Sequence, residues 1–310
     1  MNSRSNVMNE TPAEATAIAP SAVSWSRQMY WCVRRELWES KSIYVAPMVG
    51  AAITLIACSI SAMRLPERMR AAAALDPVEQ MAIIERPLDM AGLFIMGVTF
   101  LIALFYSLDA LYGERRDRSI LFWKSLPVSD LTTVLSKASI PMFVLPVLTF
   151  AVTFVTQTFV LVVSRAVLAT SGANTLAAWS HFSFWHMEGM LLYHLVAIHG
   201  ILYSPFYAWL MLVSAWAKRL PILWATLPPI LAGLFEKVAF NTSHFAGWIQ
   251  NALGGGSGRA ATAATSMSMD SLTSPWPGEF LAHPQLWINI VVAAILFALT
   301  IRLRRQRGPI

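Results

Sequence analysis

The chain has 310 residues, 56% of them hydrophobic and only 13% charged, with a mean hydropathy of +0.55 and a formal net charge of +6. One soluble core cannot hide that much apolar surface at this length, so composition excludes a soluble globular enzyme and places the chain in a bilayer. Hydrocarbon offers no water to backbone N–H and C=O groups, so the crossings are helices of about 20 apolar residues and the fold class is an all-α integral membrane protein.

Residues 1–23, MNSRSNVMNETPAEATAIAPSAV, lack the apolar core of a signal peptide and are expected to be a retained, disordered cytoplasmic tail. Residues 24–310 are expected to form one domain. In 24–41, SWSRQMYWCVRRELWESK, Tyr30, Trp31, Leu37 and Trp38 share a helical face while Glu36 and Glu39 turn away from it. That pattern predicts an interfacial helix, with Arg34 snorkelling from within the apolar face. Six segments are suited to span the membrane: 42–63, 90–108, 140–163, 190–216, 221–240 and 286–303. The first outer loop, 64–89, mixes charge with Ala and Met and is expected to hold a helix of its own. Residues 113–137, GERRDRSILFWKSLPVSDLTTVLSK, are too few for a domain and too apolar for a plain connector. Pro127 disfavours helix at Leu126, and Ser129 or Asp130 can cap a new helix, so SLPVSD reads as a corner between two helices. Residues 241–284 are small and polar, the pattern of a mobile outer loop in which only HFAGWIQNAL, 244–253, can form a helix.

With the first span running from inside to outside, sixteen of the 23 Lys and Arg residues fall on the cytoplasmic side. The positive-inside rule then predicts both termini to be cytoplasmic, and the positive charge answers to anionic lipid rather than to nucleic acid. Cys32 lies on the cytoplasmic side and Cys58 within a span, so no disulfide is expected.

The spans are nearly free of charge: Asp109, Glu188 and Glu236 sit at or near their ends, and His194 and His199 are the titratable histidines within one. This argues against an ion-coupled carrier. No phosphate-cradling loop is present either, since GGGSGRAA at 254–261 lacks the lysine. An energy source would have to be a separate subunit. In HFSFWHMEGMLLYHLVAIHG, His186, Met190 and His194 step by four along one helical face, as soft-metal ligands such as those for copper could. The alternative is a set of interfacial and pore-lining polar groups, with Met190, Tyr193, His194, Ser204 and Tyr207 lining a path. Ser204 follows His199 by five residues, off that face of an α-helix, and no oriented third group completes a nucleophile and base. Pro141, Pro146, Pro205, Pro228 and Pro229 would bend spans in a way that a packed anchor, or a scaffold that moves nothing, does not need.

Two stretches, LYGERRDRSILFWKSLPVSDLTTVLSK (111–137) and SPFYAWLMLVSAWAKRLPILWATLPP (204–229), together with RRELWESKS before the first span, resemble permease subunits of type-2 ATP-binding-cassette (ABC) transporters, bacterial exporters in particular. The resemblance implies six transmembrane helices, an N-terminal elbow helix on the inner leaflet, and a cytoplasmic coupling helix seated in a separate nucleotide-binding ATPase. It further implies a dimer of permeases, a homodimer more readily than a heterodimer, in the inner membrane. This chain would carry no cofactor or catalytic residue, with ATP and Mg in the partner. On that reading Ile120, Leu121, Phe122 and Trp123 supply the apolar contact to the ATPase, and Glu114, Arg115, Arg116, Asp117, Arg118 and Lys124 supply polar fixing.

Overall fold

A computed structural model describes residues 24–125, 128–171, 183–245, 247 and 284–307. The expectations for the 1–23 tail, for the Leu126–Pro127 corner and for most of the 241–284 loop fall outside the described residues. Within them the protein is all helix, without strands. In chain order the helices are α1 (Trp25–Glu39), α2 (Ser42–Met63), α3 (Leu65–Ala71), α4 (Pro77–Asp109), α5 (Tyr112–Arg116), α6 (Ile120–Ser125) and α7 (Asp130–Ser139). A π-helical turn, Ile140–Val144, joins α7 to α8 (Leu145–Thr170). Then come α9 (Phe184–Tyr193), which continues into a π-helical segment (His194–Leu202), α10 (Ser204–Trp216), α11 (Pro221–Phe240) and α12 (Pro284–Gln306).

Five stretches are long and apolar enough to cross a membrane: Ser42–Met63, Val78–Arg116, Asp130–Thr170, Pro221–Phe240 and Leu286–Gln306. A further pair, Phe184–Leu202 and Ser204–Trp216, meets the same test together but bends by 46° at the join. The second and third stretches run well past the apolar segments 90–108 and 140–163. Much of the supposed outer loop 64–89 is therefore the first half of α4, started by Asp76, whose side chain accepts from the Val78 N–H at 3.3 Å. The rest of it includes α3. At the other end Ser129 accepts from the Thr132 N–H at 3.0 Å and starts α7 well before the apolar run. Pro141 lies inside the π turn that follows; it has no N–H to give to an i−4 carbonyl, and the wider turn takes up the missing bond.

α2, α4 and α8 pack on one another, α10 packs on α12 and α4, and α1 lies against α7. Ile43, Ala103, Ile140, Leu145 and Tyr207 form one shared buried cluster of these elements. Most hydroxyls in the spans are satisfied by their own helix, as with Thr54 to the Gly50 carbonyl, Thr99 to Ile95 and Thr149 to Leu145. α11 stands at the side, held mainly at its start, where the Trp209 indole N–H donates to the Ala225 carbonyl and Trp216 meets Trp224 edge-on. The rest of its apolar surface faces outward, as a lipid-facing helix does.

Candidate functional site

The end of the bundle that carries α1, α5, α6 and the C-terminus of α12, which we call the base, is built on buried charge. Glu36 of α1 accepts from Lys137 of α7 at 3.0 Å and from the Tyr106 hydroxyl at 2.9 Å. Lys137 also lies 3.2 Å from Glu114 of α5. The other oxygen of Glu114 takes the guanidinium of Arg304 of α12, whose Nε reaches Asp130 at 3.0 Å. Arg35 pairs with Glu36 and lies 3.6 Å from Glu114. Three carboxylates thus face three cations, and Glu36, Glu114, Lys137 and Arg304 are all buried. Burial by itself would raise the Glu36 carboxyl; the charges of Lys137 and Arg35, with their hydrogen bonds, outweigh it and hold the group below the usual carboxylate range. α1 accordingly turns its acidic side to the protein through Glu36 and leaves Trp25, Tyr30, Trp31 and Trp38 exposed, as an interfacial helix does.

This arrangement divides the ten residues expected to meet a partner. Glu114 and Arg115 are buried within the chain: Arg115 donates to the carbonyls of Ala215 at 2.7 Å and Ala217 at 3.1 Å, groups that the end of α10 leaves without helical donors. Ser214 completes the joint by accepting from the N–H groups of Leu111 and Tyr112. Ile120 is likewise buried, and the Trp123 ring lies under the Arg35 guanidinium, 3.7 Å from ring centroid to Cζ. Lys124 donates to the Arg307 carbonyl at 3.1 Å. Arg116 pairs with Asp117 on the surface, and Arg118 takes a left-handed backbone, φ 59°, at the turn into α6. What the short helix presents outward is Leu121, 59% exposed, and Phe122, 60% exposed, beside that exposed Arg–Asp–Arg turn.

The bent fourth stretch holds the second group of candidates. Its π-helical segment steps by five, so His194 meets His199 with ring centroids 5.4 Å apart, and His199 in turn meets Tyr203 at 5.0 Å. The segment lies close on the first π turn: a Cβ on Gly200 would come within 2.8 Å of the Met142 carbonyl oxygen, which requires glycine there. Where the helix breaks, the Leu202 carbonyl accepts from Asn289 of α12 at 3.1 Å. His199, Tyr207 and Thr149 line a small cavity of 10 Å³, room for about one water. Of the five supposed path residues, Ser204 and Tyr207 are buried and Met190, Tyr193 and His194 partly so. His186 is exposed, and no three His, Cys, Asp or Glu side chains converge on a metal position among the described residues.

Glu188 lies near the start of the bent stretch, as expected, but is turned inward. It is 3% exposed, both of its carboxylate oxygens lack a hydrogen-bond partner, and the adjoining Phe184 and Trp185 rings touch Phe154, well inside α8. The Thr153 hydroxyl, the Gln157 carbonyl oxygen, His199 Nδ1 and the Ser204 hydroxyl are also buried without partners. Such groups are costly in a membrane and mark functional positions there.

Sequence reasoning missed Glu36, Lys137, Asp130 and Arg304 as a unit because they lie far apart in the chain and read as ordinary loop charges. Gln157 and Asn289 gave a usable signal, being the only side-chain amides within the expected spans.

Long apolar helices on a charged base make this a helical membrane protein. No family model, no curated protein and no solved structure matches the chain.

Proposed function

We propose that the chain is the membrane-spanning permease subunit of an ABC exporter. In this reading it crosses a bacterial inner membrane six times with both termini in the cytoplasm, forms a dimer, and couples to a separate ATPase that binds ATP and Mg. The observation that carries the proposal is the outward pair Leu121 and Phe122, held on α6 by a base whose buried ion pairs join α1, α5, α7 and α12. An anchor lying in the membrane interface needs no such frame, whereas a lever that passes force from a partner into the spans needs a stiff one. The Ser214 and Arg115 joint supports the same reading, because it ties the loop to the bent stretch that holds His194 and, with their buried unpartnered atoms, Glu188, His199 and Ser204. Those groups, lying along a span broken at a π-helical segment, suit a path that opens in another state of the cycle.

The test is co-expression with each candidate ABC ATPase of the source genome, extraction in mild detergent, and native mass spectrometry. Two copies of each subunit are expected. A chain that purifies alone, with no ATPase bound at any ratio, overturns the proposal.

A further inference from the structure

A groove of 680 Å³ opens between α2, α3 and the first half of α4, at the end of the bundle opposite the base. Its size falls within the range of small-molecule sites. Arg68 of α3 and Arg86 of α4 both line it, and no acidic side chain does among the described residues. Arg86 is exposed, and Arg68 donates to the Ser61 hydroxyl, which also lines the groove, at a long 3.4 Å. The remaining wall is apolar, Leu75 and Ile83 among it, with the Cys58 thiol, which donates to the Pro87 carbonyl, at its floor.

We propose that this groove binds an anionic membrane phospholipid, its phosphate held between Arg68 and Arg86 and an acyl chain laid along the Leu75 and Ile83 wall. Two guanidiniums without a facing carboxylate leave a surplus of charge and of donors that a phosphate oxygen set matches in number and geometry. The apolar wall is what a free oxyanion would leave uncovered and what a lipid tail covers. α2, at 22 residues, is about the length that crosses the hydrocarbon, so α3, which follows it directly, would meet the headgroups. The groove belongs to the outer leaflet if the base is cytoplasmic; the site itself depends neither on that orientation nor on the exporter reading.

Cys58, buried at 8% exposure but lining the groove, supplies the readout through its slow alkylation in the lipid-free chain. The chain has two cysteines, so Cys32→Ser leaves Cys58 as its single thiol. The full chain with that change, in mild detergent, is alkylated with N-ethylmaleimide in the presence of dioctanoyl phosphatidylglycerol, dioctanoyl phosphatidylcholine or inorganic phosphate. Phosphatidylglycerol is expected to slow alkylation roughly tenfold at concentrations where phosphatidylcholine has little effect, the scale of losing or gaining one charge-assisted contact. In Arg68→Gln/Arg86→Gln the protection is lost, while Arg86→Lys, which keeps the charge, retains part of it. Equal protection by the two lipids overturns the proposal, as does full protection in the double Gln variant. Protection by inorganic phosphate equal to that by phosphatidylglycerol overturns the lipid and leaves a simple oxyanion site.

Discussion

Glu114 and Glu188 are both buried carboxylates, but only the first has cations around it. Glu114 lies between Lys137 and Arg304, so Glu114→Gln strips both of a partner while they stay buried; we expect a loss of about 3–5 kcal/mol, measured as a lowered melting temperature in detergent. Reversing its charge would place a fourth cation beside Lys137, Arg304 and Arg35, so a failure of Glu114→Arg to bind a partner would report a broken base rather than a lost contact. Glu188 has no partner among the described residues, and Glu188→Leu removes a desolvated group that nothing repays. That variant is expected to gain roughly 1–3 kcal/mol of thermal stability. A lowered melting temperature would show that the carboxyl has a structural partner after all. Stability gained together with activity lost is the signature of a functional site. For the exposed pair, Leu121→Asp with Phe122→Asp is expected to leave membrane insertion and melting unchanged and to abolish co-purification of the ATPase. An intact complex in that variant would refute docking through α6.

At the scale of elements, the two π-helical segments are the unusual feature, and they touch. Gly200 passes against the Met142 carbonyl, so Gly200→Ala forces the segments apart and is expected to cost about 1–3 kcal/mol, visible in thermal unfolding. A variant as stable as the parent would mean that the segments separate at no cost, and their contact would then hold nothing in place. Asn289 has a related task, capping the Leu202 carbonyl that the 46° bend leaves open. This is also where sequence periodicity stops short. Steps of four hold as far as His194 and keep His186, Met190 and His194 along one face, but from His194 onward the helix steps by five and brings His199 to His194 as well. No residue pattern announces that change of pitch. It follows from the close packing of two segments that can approach only at a glycine.

At the scale of the molecule, the base joins elements from α1 to α12, and its stability follows the ionisation of Glu36. That carboxyl is held below its ordinary range, so its contribution is complete above the unfolded value, about 4.3, and is lost as pH falls through the folded one. Thermal unfolding should therefore be flat toward neutral pH and fall steeply at acid pH, with a smaller acid loss in Glu36→Gln. A parent and variant with identical acid limbs would remove Glu36 from that role.

Apolar runs separated by charged loops were enough to determine a helical membrane protein and the places where its long helices lie, because hydrocarbon imposes one solution on any chain that enters it. The start of α7 was legible too, since capping by Ser129 is a local bond. The tertiary structure alone decided which charges are contacts and which are framework. Glu114 and Arg115 look like surface residues beside Arg116, but groups far along the chain, the Arg304 guanidinium and the carbonyls of Ala215 and Ala217, take them inside. Whether a charge is exposed depends on what folds over it, and that information is spread along the whole chain.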